Sequence, residues 1–180
     1  MDAVELLKHD HRMVEQLFRD YDAAHSEDQR RGVVEILVRE LSKHAALEEL
    51  SVYPLAKQQL GSGVDVDRQL DEHMAVKKTL ASLDSLPVGS REERPLVDEL
   101  EAELHQHIEL EESQFLPALE RALNPDFLAE LGKEIELAKR AAPTRPHPGA
   151  PDEPPALTLA APFAALFDRF RDRIQGRPAT

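Results

Sequence analysis

The sequence predicts an all-α protein, an antiparallel up-down-up-down four-helix bundle with extra C-terminal helices. Three observations carry that expectation. Apolar residues recur three and four apart through residues 2–122, alternating strand-like runs are missing there, and clusters of Gly, Pro, Ser and Asp divide the stretch into four segments of helical length. Four helices joined by short connections favour antiparallel neighbours.

Laying a helical register on each segment shows which side chains share a face, since positions three or four apart lie together. The first segment, near 2–25, aligns Val4, Leu7, His11, Val14, Phe18 and Tyr21; His9, about 200° round the helix from His11, points away. After His25-Ser26-Glu27-Asp28, the second segment, near 28–60, aligns Val34, Leu37, Leu41, His44, Glu48, Ser51 and Leu55. Residues 61–65, GSGVD, supply the next turn. The third segment, near 66–86, aligns Val66, Leu70, His73, Lys77 and Leu80. Following PVGSREE, the fourth segment, near 91–122, aligns Val97, Leu100, Leu104, His107, Glu111, Gln114 and Ala118, with His105 facing away.

Asn124-Pro125-Asp126 signals a fifth helix: a cap residue, Pro at the first helical position and an acid in the first turn, followed by an apolar stripe of Leu128, Leu131 and Ile135. The composition then changes. Residues 143–155 hold six of the thirteen prolines and read as an extended linker. Beyond it, Phe163, Leu166, Phe167, Phe170 and Ile174 line one face of a short helix whose other face carries Arg169, Arg171, Asp172 and Arg173. Docking on the bundle or on a neighbouring subunit is its expected role, and its arginines leave a partner or membrane-surface role open. The expected organisation is a bundle with its fifth helix over 1–142, a linker over 143–158 and an amphipathic helix over 159–180.

Composition excludes several classes of function. The chain has 180 residues, 35 Asp and Glu against 22 Lys and Arg for a formal charge of −13, and no Cys. Disulfides, thiolate metal sites, iron–sulfur clusters and cysteine nucleophiles are therefore excluded, so any metal must sit on His and carboxylate. The negative charge opposes nucleic acid. No stretch approaches the ~20 apolar residues of a membrane span, and MDAVELLKHD lacks a basic segment followed by an apolar run, so a soluble cytoplasmic protein is expected.

The four inward histidines come with two inward glutamates, Glu48 and Glu111. The chain also repeats itself: HAALEELSVYP (44–54) and HIELEESQFLP (107–117) share the pattern H-x-x-L-E-E-x-x-x-x-P, and the preceding inward His lies 33 residues before His44 and 34 before His107. Within each hairpin the two histidines stand at similar heights above the turn. The other end fits less well, which suggests that the second helix stops early or bends at Pro54.

Two carboxylates cannot be buried uncompensated, and Lys77 is the one cation on these stripes. A buried His–Glu hydrogen-bond network is the bland alternative. Metal accounts better for four histidines at matched heights. Two bridging carboxylates and four or five imidazoles exceed what one tetrahedral zinc can use, while nitrogen and oxygen ligands suit iron or manganese. The expectation is two iron ions, with manganese or zinc as substitutes. The Glu-x-x-His pattern of ferritin-like bundles does not occur here; the order is His first and Glu four residues on.

Taken together, the His-Asp-His of residues 9–11, the H-x-x-x-E motifs followed by Tyr53-Pro54 and Leu116-Pro117, and the inward His73 resemble the hemerythrin-like family, also called HHE cation-binding domains. The resemblance implies that His11 and His44 bind one iron, that His73 and His107 bind the other, and that Glu48 and Glu111 bridge both beside an oxo or hydroxo group. Oxygen-carrying members place a second His one turn after the third-helix ligand. This chain has Lys77 there, which leaves an open site, a water or a substitute such as Tyr53, Glu49 or Glu112; their phases favour none of the three. Lys77 is the candidate catalytic residue, able to orient or protonate the small ligand, and its alternatives are to extend out of the bundle or to pair with a bridging Glu. The implied function is a di-iron protein that binds or senses O2, peroxide or nitric oxide; the alternatives are a catalase-like peroxide-consuming enzyme and an iron-storage or iron-sensing protein.

Overall fold

The computed structural model describes residues 1–149; the expected helix over 159–180 and the later part of the Pro-rich linker lie outside the described residues. Among the described residues seven α-helices follow one another: α1 (Ala3–Ala23), α2 (Glu27–Leu47), α3 (Tyr53–Leu60), α4 (Val66–Ser85), α5 (Glu93–Leu110), α6 (Leu116–Ala122) and α7 (Pro125–Ala138). No strand occurs among the described residues. Because α2 runs on into α3 and α5 into α6, the helices make four long rods plus α7, the expected bundle with a fifth helix.

The cap residues act as their chemistry dictates. Asp2 and Glu5 form a reciprocal capping box at the start of α1. Ser26 accepts from the Gln29 N–H, Asp65 from the Arg68 N–H and Asn124 from the Asp126 N–H. At the far end of α4, the Arg31 guanidinium donates to the carbonyls of Leu83, Asp84 and Leu86, adding donors where the helical ladder runs out.

A wide turn joins each pair of merged helices, Glu48–Val52 in one rod and Glu111–Phe115 in the other. In each, a backbone N–H reaches back five residues, from Tyr53 to the Glu48 carbonyl and from Leu116 to the Glu111 carbonyl. Pro54 and Pro117 follow directly. Neither can donate to the carbonyl four residues earlier, and the inserted residue lets the rod continue past them. The expected break at Pro54 is thus a widened turn, after which the rod runs to Leu60.

The mismatch of heights noted in the sequence also has an explanation. His44 stands 16 residues before Leu60, whereas His73 stands only seven after Val66, so α3 overhangs the start of α4. The overhanging α3 packs on α6, and α7 adds Leu128, Leu131 and Ile135 to the same apolar cluster, with Leu7, Leu47, Leu50, Phe115, Leu116 and Leu119. A second cluster of Val14, Phe18, Leu37, Leu41, Leu80, Leu83 and Leu100 fills the opposite end of the bundle. Buried His and Glu side chains lie between the two.

Helix α7 rests on α1 at Gly132. A Cβ there would lie 2.6 Å from the Met1 carbonyl oxygen and 2.7 Å from the Asp2 carbonyl carbon, so only glycine permits this approach.

Candidate metal centre

The structure brings all six expected ligand residues together. His11, His44, Glu48, His73, His107 and Glu111 are buried, the two glutamates completely. Ligand atoms of His11, His44, Glu48 and Glu111 lie within 4.8 Å of one another, as do those of Glu48, His73 and His107. The two groups share Glu48. Within each hairpin the imidazoles meet edge to face, with centroids 5.1 Å apart for His11 and His44 and 4.8 Å for His73 and His107.

What these atoms do not do is as informative. His11 Nε2 stands 3.3 Å from Glu111 Oε2 and His44 Nε2 stands 3.2 Å from Glu48 Oε2. Yet His11 Nε2, His44 Nε2, Glu48 Oε1 and Glu111 Oε2 have no hydrogen-bond partner. Leaving several polar atoms buried and unsatisfied costs roughly 1–3 kcal/mol each. Convergent ring nitrogens and carboxylate oxygens that make no hydrogen bond suit a cation, and the donor set fits iron or manganese.

Behind the cluster, every inward imidazole turns its Nδ1 to a carboxylate. His11 faces Glu112 at 2.8 Å, His44 faces Asp10 at 3.4 Å, His73 faces Glu49 at 3.0 Å and His107 faces Glu72 at 3.2 Å. A carboxylate only accepts, so Nδ1 carries the hydrogen, and in the neutral ring the Nε2 lone pair is left for the centre of the bundle. The arrangement follows the sequence repeat. In each half, the acid preceding the first His backs the second His, and the second Glu of the repeated Glu-Glu pair reaches across to the opposite hairpin. Sequence reasoning passed over Asp10 and Glu72; the signal was an acid directly before each of His11 and His73.

Three of these acids are themselves paired: Asp10 with Lys139 at 2.5 Å, Glu49 with Lys77 at 2.8 Å and Glu72 with Arg68 at 2.9 Å. Among the described residues no Lys or Arg pairs with Glu112, whose side chain is 37% exposed. Lys77 Nζ bonds to Glu49 behind His73, and not to Glu48 or Glu111.

Burial opposes ionisation of Glu48, but His44 and His73 outweigh it and hold the carboxyl well below its usual range. Burial would likewise lower both imidazoles; Glu48, with Asp10, pushes His44 up to about 10, and Glu48 with Glu49 pushes His73 up to about 9. For Asp10, burial is outweighed by His44 and Lys139, and the carboxyl sits below its ordinary value.

Tyr53 completes the cluster. Its hydroxyl donates to Glu111 Oε1 at 3.0 Å and lies 2.9 Å from His73 Nε2 and 3.4 Å from Glu48 Oε2. Burial, then Glu111 and Glu48, raises its pKa well above the ordinary phenol value. Of the three substitutes left open by the sequence, Tyr53 alone faces the cluster's interior, since Glu49 and Glu112 lie on the Nδ1 side. In the repeat its counterpart is Leu116, so the phenol makes the two halves chemically unequal.

A family model described as the hemerythrin HHE cation binding domain matches residues 2–119. An uncharacterized hemerythrin-like protein of Schizosaccharomyces pombe is 32% identical over 171 residues, covering 94% of this chain and 84% of that protein. A DNA nickase of a Nostoc species is 23% identical over 139 residues, 77% of this chain but only 39% of that protein. No solved structure matches the chain. Among the described residues no helix is long and apolar enough to cross a membrane.

Proposed function

Because the chain belongs to the hemerythrin HHE cation-binding family, we propose that its buried cluster holds two iron ions and that the protein binds or senses O2, peroxide or nitric oxide there. His11 and His44 would hold one ion, His73 and His107 the other, with Glu48 and Glu111 shared. The observation that carries this reading is the set of four fully buried, convergent atoms without a hydrogen bond: His11 Nε2, His44 Nε2, Glu48 Oε1 and Glu111 Oε2. When bound, the iron pair supplies a redox centre and a Lewis acid.

The chain's own residues do the rest. The four Nδ1–carboxylate contacts fix the ring orientations before any ion arrives, and such backing raises ligand basicity. Leu47, Leu50, Phe115 and Leu116 on one side and Val14, Val76, Leu80 and Leu104 on the other keep water from the cluster. The Tyr53 hydroxyl holds a proton between His73 and Glu111, where it can donate to a small ligand bound at the cluster. Lys77, bonded to Glu49 behind His73, would act through that carboxylate as a positioning residue for His73.

That same Tyr53 proton favours peroxide consumption as a second reading. Stopped-flow mixing of the reduced, iron-loaded protein with peroxide separates the two, because re-oxidation limited to one equivalent without oxygen evolution removes the enzyme reading. The DNA nickase likeness is not carried over, as a charge of −13 repels a phosphate backbone.

Metal analysis of protein purified from iron-replete cells should give two iron atoms per chain and an absorption spectrum that changes with O2. Protein that takes up no iron after anaerobic reconstitution with ferrous salt would sink the proposal.

A further inference from the structure

The carboxylates behind His44 and His107 occupy equivalent places in the two halves of the chain but obtain their countercharges differently. Glu72 is paired by Arg68, one turn earlier on the same helix. The equivalent position one turn before Asp10 is Leu6, a buried core residue. Helix α1 therefore supplies no cation of its own. Asp10 is buried, with 4% of its side chain exposed, and its Oδ1 accepts instead from Lys139 Nζ, at the C-terminal end of α7, while its Oδ2 faces His44 Nδ1.

The seating of α7 makes this contact a defined one. Gly132 touches the backbone of Met1, Asp2 and Ala3, and Lys139 meets Asp10. Seven residues separate Gly132 from Lys139 and seven separate Ala3 from Asp10, so α7 lies alongside α1 in the same direction with equal rise, about 10 Å in each. The close approach at Gly132 sets the height at which Lys139 arrives.

We propose that Lys139 is a positioning residue of the metal centre, acting on His44 through Asp10, so that docking of the fifth helix and occupancy of the centre are coupled. This rests on the metal reading above. Coupling of this kind is reciprocal: a seated α7 tightens metal binding, and bound metal tightens the seat of α7. It gives the fifth helix, and the chain that continues from it, a means of registering whether the centre is filled.

Chelator competition for ferrous ion under anaerobic conditions, combined with hydrogen exchange over residues 126–139, tests it on the full chain. Lys139→Gln should weaken ferrous binding about tenfold, in the range for residues that orient metal ligands, whereas Lys139→Arg should restore it and Lys133→Gln, at an exposed position on the same helix, should leave it unchanged. Ferrous loading should slow exchange in α7 of the wild type but not of Lys139→Gln. Gly132→Ala, which disturbs the seat without altering any charge, should weaken binding in the same direction and remains informative if Lys139→Gln folds poorly. Wild-type affinity in both Lys139→Gln and Gly132→Ala, or α7 exchange indifferent to loading in the wild type, overturns the coupling while leaving the metal reading intact. A wild type that binds no ferrous ion overturns both.

Discussion

Glu49 and Glu112, the second acids of two copies of one motif, each cross the bundle to back a histidine of the opposite hairpin. Glu49 lies 3.0 Å from His73 Nδ1 and Glu112 lies 2.8 Å from His11 Nδ1. The hairpins are thus tied together through the second layer of the site as well as through its centre. The halves differ in that Glu49 is paired with the buried Lys77, while Glu112 is half-buried and pairs with no Lys or Arg among the described residues.

Glu49→Gln should have two separable consequences. It leaves the buried Lys77 ammonium without its partner, which costs about 3–5 kcal/mol when a buried pair is broken, and it weakens the hold on His73, which lowers metal affinity about 10–100-fold. Adding Lys77→Met should recover most of the stability of the metal-free protein in denaturant titration but not the affinity. Recovery of both would show that Glu49 serves the fold alone.

Glu48 belongs to both groups of convergent ligand atoms, so Glu48→Gln should remove more than one ion's worth of metal. The expected result is iron content well below that of the wild type with helicity retained, read by metal analysis and circular dichroism. Unaltered stoichiometry would exclude Glu48 as a shared ligand.

Proton release follows from the raised imidazoles. In the metal-free protein His44, near 10, and His73, near 9, are protonated at neutral pH, so ligation by both must expel protons. Loading in weakly buffered solution should acidify the medium, and affinity should rise with pH up to that range. The sign for folding is opposite. A histidine raised in the folded state contributes stability that is complete below its unfolded value of about 6.5 and lost as pH rises through 9 to 10. The metal-free protein should therefore lose stability between pH 7 and 10, measured by thermal unfolding.

Both tyrosines of the chain, Tyr21 and Tyr53, are raised. Burial, then Glu93, pushes Tyr21 up to about 12. Alkaline titration followed by phenolate absorbance should show almost no ionisation near pH 10, where a free tyrosine is half ionised. Tyr21's contribution to stability is present below about pH 10 and lost as pH rises through about 12, and that of Tyr53 is lost in the same direction, so phenolate should emerge together with loss of helicity. Ionisation near pH 10 in the intact fold would contradict the burial of these hydroxyls.

The inner face of each helix was legible because helical periodicity is local: His11, His44, His73 and His107 fall three or four residues from core leucines and valines whatever the neighbouring helices do. Tyr53 stands among the three substitutes the sequence offers, but its inward orientation was not legible, and the reason is geometric. Nine residues after His44, a straight helix places it about 180° round, facing outward. The residue inserted by the wide turn Glu48–Val52 withdraws about 100° of that rotation and brings the phenol one turn beyond Glu48 on the inner side. No periodicity argument crosses such an insertion with its phase intact.

By itself, the sequence determined the helical class, the segment boundaries to within a few residues, the start of α7 at Asn124-Pro125, and which six side chains turn inward, since these depend on spacing and cap chemistry along one stretch of chain. Only the tertiary structure decided that Glu49 and Glu112 cross between hairpins, that Lys139 reaches Asp10 from 129 residues away, and that Lys77 holds Glu49. Those pairings depend on the rotation and height of one helix against another, which packing of the whole core fixes and no local pattern encodes.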